Sequence, residues 1–224
     1  NTQPALLIHS VAALRAASEL LPDFRPAFAA GHSLGEFSAL VAAGSLDFPD
    51  AVRLVRERGR LMKAAGEAAP GGMAAVLNLD APSLAELCRV ASEVTGRNVQ
   101  VANDNCPGQI VISGDEAALE KAMELAKEKG ARKVVRLPVS IAGHSQLMRP
   151  AQEAFAAILQ NVTFRPPAIP VVGNVSAAPL TTADDIRADL AAQLTSAVRW
   201  TESIQHMLAH GVTTFVELGS KDVL

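Results

Sequence analysis

The chain has 224 residues, 49% hydrophobic and 19% charged, with a net charge of −3 at pH 7, enough for a sizeable core in one large domain or one with a smaller insert. No basic block or arginine-rich helix is present, which argues against nucleic-acid binding, and no apolar run approaches the ~20 residues of a membrane-spanning helix. The cysteines, Cys88 and Cys106, are too few for a zinc site or disulfide framework and suit a reducing, cytoplasmic setting.

The sequence opens at Asn1, without methionine or a charged signal region, and stops at Val223-Leu224, so both ends are expected to be cuts from a longer protein. Pro4 to about Leu20 reads as a helix, with Ala5, Leu6, Ile8, Val11, Ala12 and Leu14 on its apolar side. Leu21-Pro22-Asp23 breaks it. A short apolar run, Pro26 to Ala30, then leads into Gly31-His32-Ser33-Leu34-Gly35 and a helix-forming run that ends at Gly44. Strand, Gly-x-Ser-x-Gly turn and helix in that order are the context of a nucleophile elbow. Both glycines are expected to be needed because a Cβ would collide with the strand or helix. Ser33 then stands near a helix N-terminus, where free backbone N–H groups can meet a developing oxyanion. The plainer alternative is a serine acting only as a helix cap.

Asp47-Phe48-Pro49-Asp50 opens a helix from Ala51 to about Ala65. At 100° per residue, Ala51, Val55, Leu61, Met62 and Ala65 share one side, and Arg53, Arg56, Arg60 and Lys63 the opposite one. Arg58 falls within the apolar stripe. An inward guanidinium needs acceptors. It serves either a structural salt bridge, or snorkels out, or receives a substrate carboxylate; its position leaves these open.

After Pro70-Gly71-Gly72 the pattern becomes compact. Met73–Leu79 reads as strand, Ser83–Val94 as helix capped by Ser83, Val99–Ala102 and Gln109–Ser113 as strands around a loop at 103–108, Glu116–Lys129 as helix, and Arg132–Val139 as strand. The order βαββαβ is that of a ferredoxin-like unit. The intervening loop reads as an ordinary turn, with lining of a cleft as the alternative. His144 precedes a helix from about Gln146 to Leu159, where the dipole disfavours an imidazolium. Ile169–Val175 reads as strand, Thr182 starts a helix to about Leu194, Thr201 another to His210, and Thr213–Leu218 a last strand. His206 and His210 have the spacing of metal ligands but no acidic partner, so a solvated helix face, and no metal site, is expected.

Taken together, Thr2-Gln3-Pro4-Ala5-Leu6-Leu7, the elbow through Leu40, Arg58-Gly59, Ala102 to Gly114, Pro138-Val139-Ser140 with His144, and Gln193-Leu194 with Val198-Arg199-Trp200 make the chain similar, over essentially its whole length, to the malonyl-CoA:acyl carrier protein transacylases, an acyltransferase family of fatty-acid synthesis. The resemblance implies a catalytic pair, Ser33 acylated and His144 its base, with His144 oriented by the backbone carbonyl of Gln193. It also implies that Arg58 grips the malonyl carboxylate, Gln3 lines the pocket and the Leu34 N–H is one oxyanion donor. The partners implied are malonyl-CoA and acyl carrier protein. No cofactor is implied: coenzyme A arrives as the thioester substrate, and phosphopantetheine is carried by the partner.

The expected fold is α/β, an α/β-hydrolase-like core with a parallel central sheet (1–70 and 138–224) and an inserted ferredoxin-like subdomain (71–137). The family's N-terminal Gly-Gln-Gly segment, its final Gly-Pro-Gly turn (here Gly219-Ser220-Lys221) and its closing helix have no counterpart in this sequence. Loss of one oxyanion donor costs about 10²–10³ in rate, which leads us to expect this chain, taken literally, to be impaired. Two alternatives are a serine esterase of the α/β-hydrolase class, with Asp104 or Asp115 completing a triad, and an acyltransferase domain of a polyketide synthase.

Overall fold

The computed structural model describes residues 1–220 and 224; Lys221, the third residue of the Gly219-Ser220-Lys221 turn, and Val223 lie outside the described residues. Helix α1 (Thr2–Leu20) is followed by β1 (Ala29–Ala30), the elbow, α2 (Gly35–Ala42) and α3 (Phe48–Ala68). Only Leu7 and Val11 of α1 are buried, one helical turn apart, where α1 packs on α3 and α2. Leu6 and Ile8, expected on the apolar side, are exposed because they lie beside that narrow stripe rather than on it.

The next segment runs β2 (Gly71–Leu77), α4 (Ala81–Thr95), β3 (Val99–Cys106), β4 (Gln109–Asp115), α5 (Glu116–Glu128) and β5 (Lys133–Arg136). These strands lie in the order β5-β2-β4-β3, with every neighbouring pair antiparallel. That is the strand order of a ferredoxin-like unit. The cap of α4 is Asp80, which accepts from the Ser83 N–H at 2.7 Å, so the helix starts earlier than the sequence suggested. The expected 103–108 loop is largely strand. β3 continues to Cys106 through two register shifts, and only Pro107-Gly108 turns.

A short 3-10 turn (Gln146–Met148) leads into α6 (Arg149–Leu159), followed by β6 (Val171–Val172), β7 (Pro179–Leu180), α7 (Ala183–Ala192), β8 (Val198–Arg199) and α8 (Trp200–Ala209). The core sheet is mixed and small: β1 pairs parallel with β6, and β6 antiparallel with β7. Thr213–Leu218 forms no strand, since nothing among the described residues pairs with it, and Phe215 and Val216 are exposed. Two apolar clusters fill the molecule. One joins Leu7, Phe37, Leu40, Val55, Phe155 and Leu190; the other lies under the antiparallel sheet, around Val76, Leu84, Ile112 and Leu119. β8 pairs parallel with β3, so residues from beyond α7 extend the second sheet to five strands.

The elbow glycines are not equivalent. A Cβ at Gly31 would lie 2.0 Å from the Gly35 carbonyl group, whereas one at Gly35 meets nothing within 4 Å. Close approach of the turn to itself thus explains Gly31 but not Gly35. Gly31→Ala is expected to lower thermal stability sharply or abolish folding, while Gly35→Ala is expected to change unfolding free energy by no more than about 1 kcal/mol, read from paired denaturant melts.

Candidate active site

Ser33 sits between β1 and α2 with φ of +50°, a left-handed backbone that is costly for a residue with a Cβ. Asn174, fully buried beyond β6, holds it there. Its Oδ1 accepts from the Ser33 N–H at 2.6 Å, and its Nδ2 donates to the Gly31 carbonyl at 2.8 Å. Ser33 is not a helix cap, for α2 has no side-chain cap. Its hydroxyl meets His144 Nε2 at 2.9 Å instead. The next N–H, of Leu34, makes no hydrogen bond among the described residues and is free to donate.

His144 has φ of +57° and is buried ahead of the 3-10 turn. Its Nδ1 faces the carbonyls of Gln193 at 2.9 Å and Ser196 at 3.2 Å. Both are acceptors, so Nδ1 carries the proton and Nε2 is left as the acceptor toward Ser33. Burial, then the Arg58 charge, pull His144 down to about 3, which keeps it neutral at physiological pH. Gln100 of β3 braces this corner, donating to the carbonyls of His144 at 3.1 Å and Thr195 at 2.9 Å. Among the described residues no carboxylate orients the imidazole. Asp104 accepts from the Thr201 hydroxyl at 2.7 Å and Asp115 caps α5, so neither completes an esterase triad.

Arg58 is buried at 2% exposure. Its Nη1 donates to Gln3 Oε1 at 2.8 Å, and its Nη2 to Ser33 Oγ and Gln193 Oε1, each at 2.8 Å. All of these acceptors are neutral, and Nε has no hydrogen-bond partner among the described residues. Burial pulls Arg58 down to about 10, which still leaves it cationic. The structural salt bridge that the sequence left open is therefore absent among the described residues, and the guanidinium keeps capacity for an incoming carboxylate.

Ser33, His144, Arg58, Gln3, Leu34 and Gln193 thus converge on one spot. Besides Gln100 and Ser196, three residues at or beside this spot are not singled out by the sequence reading. Asn174 follows a short strand at its carboxyl end, a place from which side chains reach sites in α/β folds. Glu36 is the lone charge in an apolar helix, a signal that was readable. Asn105, assigned to a turn, reaches His32 Nε2 at 2.9 Å, and that ring also packs edge-on against Trp200. His206 and His210 stack at 4.2 Å and meet Phe28, so His206 is half-buried rather than solvated.

Comparison with known proteins gives a consistent result. The acyl transferase domain family matches residues 1–224. The malonyl CoA-acyl carrier protein transacylase of Bacillus subtilis (strain 168) is 49% identical over all 224 residues, which span 70% of that protein. The enzyme of that name from Escherichia coli (strain K12) is 46% identical, and the chain spans 72% of it. Among solved structures, FabD from Acinetobacter baumannii superposes with a TM-score of 0.93 at 44% identity, covering 98% of this chain and 69% of that one. A malonyl-transacylase solved in complex with a type II polyketide synthase acyl-carrier protein superposes with a TM-score of 0.89 at 42% identity, covering 94% of this chain and 67% of that one.

The buried neutral histidine carries a stability signature. An unfolded histidine takes up a proton below 6.5, while the folded one resists down to about 3, so stability present above pH 6.5 is lost as pH falls between those values. Glu36, raised well above the usual carboxylate range by burial and by Asp189, acts with the opposite sign. The difference between wild type and His144→Gln isolates the histidine. Wild type is expected to lose about 2 kcal/mol more than the variant between pH 6.5 and about pH 5, measured by urea unfolding.

Proposed function

Because the chain belongs to the acyl transferase domain family, we propose that it moves a malonyl group from malonyl-CoA to the phosphopantetheine thiol of acyl carrier protein, in fatty-acid synthesis. The support is twofold: close relatives named for that reaction span the whole chain, and the site holds a nucleophile, a neutral base and an unneutralised cation within hydrogen-bond reach. The observation that carries the reading is Arg58. Its Nη2 lies 2.8 Å from the nucleophilic oxygen, yet no carboxylate among the described residues bonds to it.

Each step follows from that geometry. Ser33 Oγ attacks the thioester carbonyl as its proton passes to His144 Nε2, which lies 2.9 Å away. The Gln193 and Ser196 carbonyls stabilise the imidazolium that forms. The Leu34 N–H donates to the oxyanion. Coenzyme A leaves as the thiol, taking the proton from His144. The carrier's phosphopantetheine thiol then gives its proton to His144 and attacks the malonyl-Ser33 ester, which restores the Ser33 hydroxyl. The order is ping-pong. Arg58 and Gln3 hold the malonyl carboxylate throughout, so an acetyl group, which lacks it, leaves a buried guanidinium undersatisfied.

We assign the acyltransferase body to 1–70 with 138–224, and a smaller ferredoxin-like unit to 71–137. The two separate apolar clusters support that division. Coenzyme A enters as substrate and no resident cofactor takes part. A cytoplasmic setting agrees with two free cysteines and with the finding that no helix among the described residues is long and apolar enough to cross a membrane.

Intact-mass analysis after exposure to malonyl-CoA is expected to show one malonyl adduct, mapped to Ser33 and absent from Ser33→Ala. Arg58→Ala is expected to lower kcat/KM for malonyl-CoA by about 10²-fold or more while acetyl transfer changes little or rises. An Arg58→Ala protein that keeps full preference for malonyl would overturn the assignment.

A further inference from the structure

The only charged residue of α2 is Glu36, and it is completely buried. Its Oε2 accepts from Gln193 Nε2 at 2.7 Å, while its Oε1 has no hydrogen-bond partner among the described residues when read as a carboxylate oxygen. Asp189 of α7 stands beside it. Asp189 accepts from the N–H groups of Val175 at 3.1 Å and Ser176 at 2.9 Å. Gly173 makes room for this carboxylate, since a Cβ there would lie 2.5 Å from Asp189 Oδ1.

Two buried carboxyl groups in contact do not both ionise. Glu36 is the more enclosed of the two, at 0% against 6% exposure, and its Oε1 is the oxygen left without a donor, so the shared proton is placed on Glu36. Burial and the Asp189 charge both push Glu36 well above the ordinary carboxylate range, in agreement with that placement. The other charges facing this pair are Arg58 on one side and Arg199, toward Asp189, on the other. A proton on Oε1 gives that atom a bond to donate to Asp189 and leaves Oε2 as an acceptor.

The consequence reaches the site through one amide. Gln193 Nε2 donates to Glu36 and to the Ser33 carbonyl at 3.1 Å, which obliges Gln193 Oε1 to face Arg58 Nη2 at 2.8 Å. With the amide reversed, an NH2 group would oppose the guanidinium. We propose that Glu36, as a neutral carboxylic acid held against Asp189, is a positioning residue that locks the Gln193 amide and thereby aims Arg58 at the substrate carboxylate. This rests on the transferase reading above.

The test compares wild type, Glu36→Gln and Glu36→Ala in transfer from malonyl-CoA and acetyl-CoA. Glutamine is the neutral isostere: its NH2 replaces the shared proton toward Asp189 and its oxygen still accepts from Gln193. Glu36→Gln is expected to keep the malonyl-over-acetyl ratio within about threefold, and Glu36→Ala to lower it at least about tenfold, mainly through KM for malonyl-CoA. A Glu36→Gln protein as unselective as Glu36→Ala would overturn the proposal, because it would mean that Arg58 needs a negative charge there. A selective Glu36→Ala protein would overturn it as well. Should Glu36→Ala fail to fold, infrared spectra decide: wild type at mildly alkaline pH is expected to show a protonated-carboxyl band that Glu36→Gln lacks, and its absence overturns the proposal. Wild type that shows no malonyl preference would instead sink the transferase reading, while the infrared band still decides whether the Glu36–Asp189 pair holds a proton.

Discussion

A buried guanidinium with no carboxylate hydrogen-bonded to it among the described residues organises this molecule. Leaving a cation buried is expensive unless every acceptor nearby is aimed at it. Three neutral oxygens from three distant parts of the chain, Gln3, Ser33 and Gln193, supply what the protein itself offers. Each comes from a different element, so α1, the elbow and the end of α7 are tied to α3 through one side chain. The arrangement solvates Arg58 enough to keep it buried and cationic, and leaves it short of the one partner that would satisfy it best. On the proposed reading, selectivity for a carboxylate-bearing acyl group is then a property of the resting site.

The same cation sets the electrostatics of the base. It lies close enough to His144 to disfavour a second positive charge, and burial acts in the same direction. Two backbone carbonyls take the place that a carboxylate fills in a Ser-His-Asp triad. Carbonyl dipoles hold the tautomer and stabilise the imidazolium without adding a full negative charge beside Arg58. An aspartate there would compete with the substrate for the guanidinium.

How much of this was readable in advance depended on whether the signal was local. The elbow, the inward Arg58 and the βαββαβ order are matters of short-range spacing and periodicity, and they stand in the structure as read. The extent of β3 is not legible locally, because Asn103-Asp104-Asn105 looks like turn chemistry. Pairing with β4 on one side and β8 on the other overrides that propensity. The cap of α4 is Asp80, three residues ahead of Ser83; both residue types suit a cap, and only the hydrogen bond distinguishes them. Thr213–Leu218 has strand composition without a strand beside it. Asn174 lies 141 positions from Ser33, and nothing in the surrounding sequence announces that its amide closes around the elbow.

The short β8 ladder has a mechanical consequence. It joins the antiparallel layer to the segment that presents the Gln193 and Ser196 carbonyls, and Gln100 adds two further bonds across the same seam. A tilt of that layer therefore carries the imidazole's acceptors with it, and the bond from Asn105 of β3 to His32 carries the elbow along as well. The joint thus couples the antiparallel layer to both sides of the site, and its stiffness holds the spacing between Ser33 and His144.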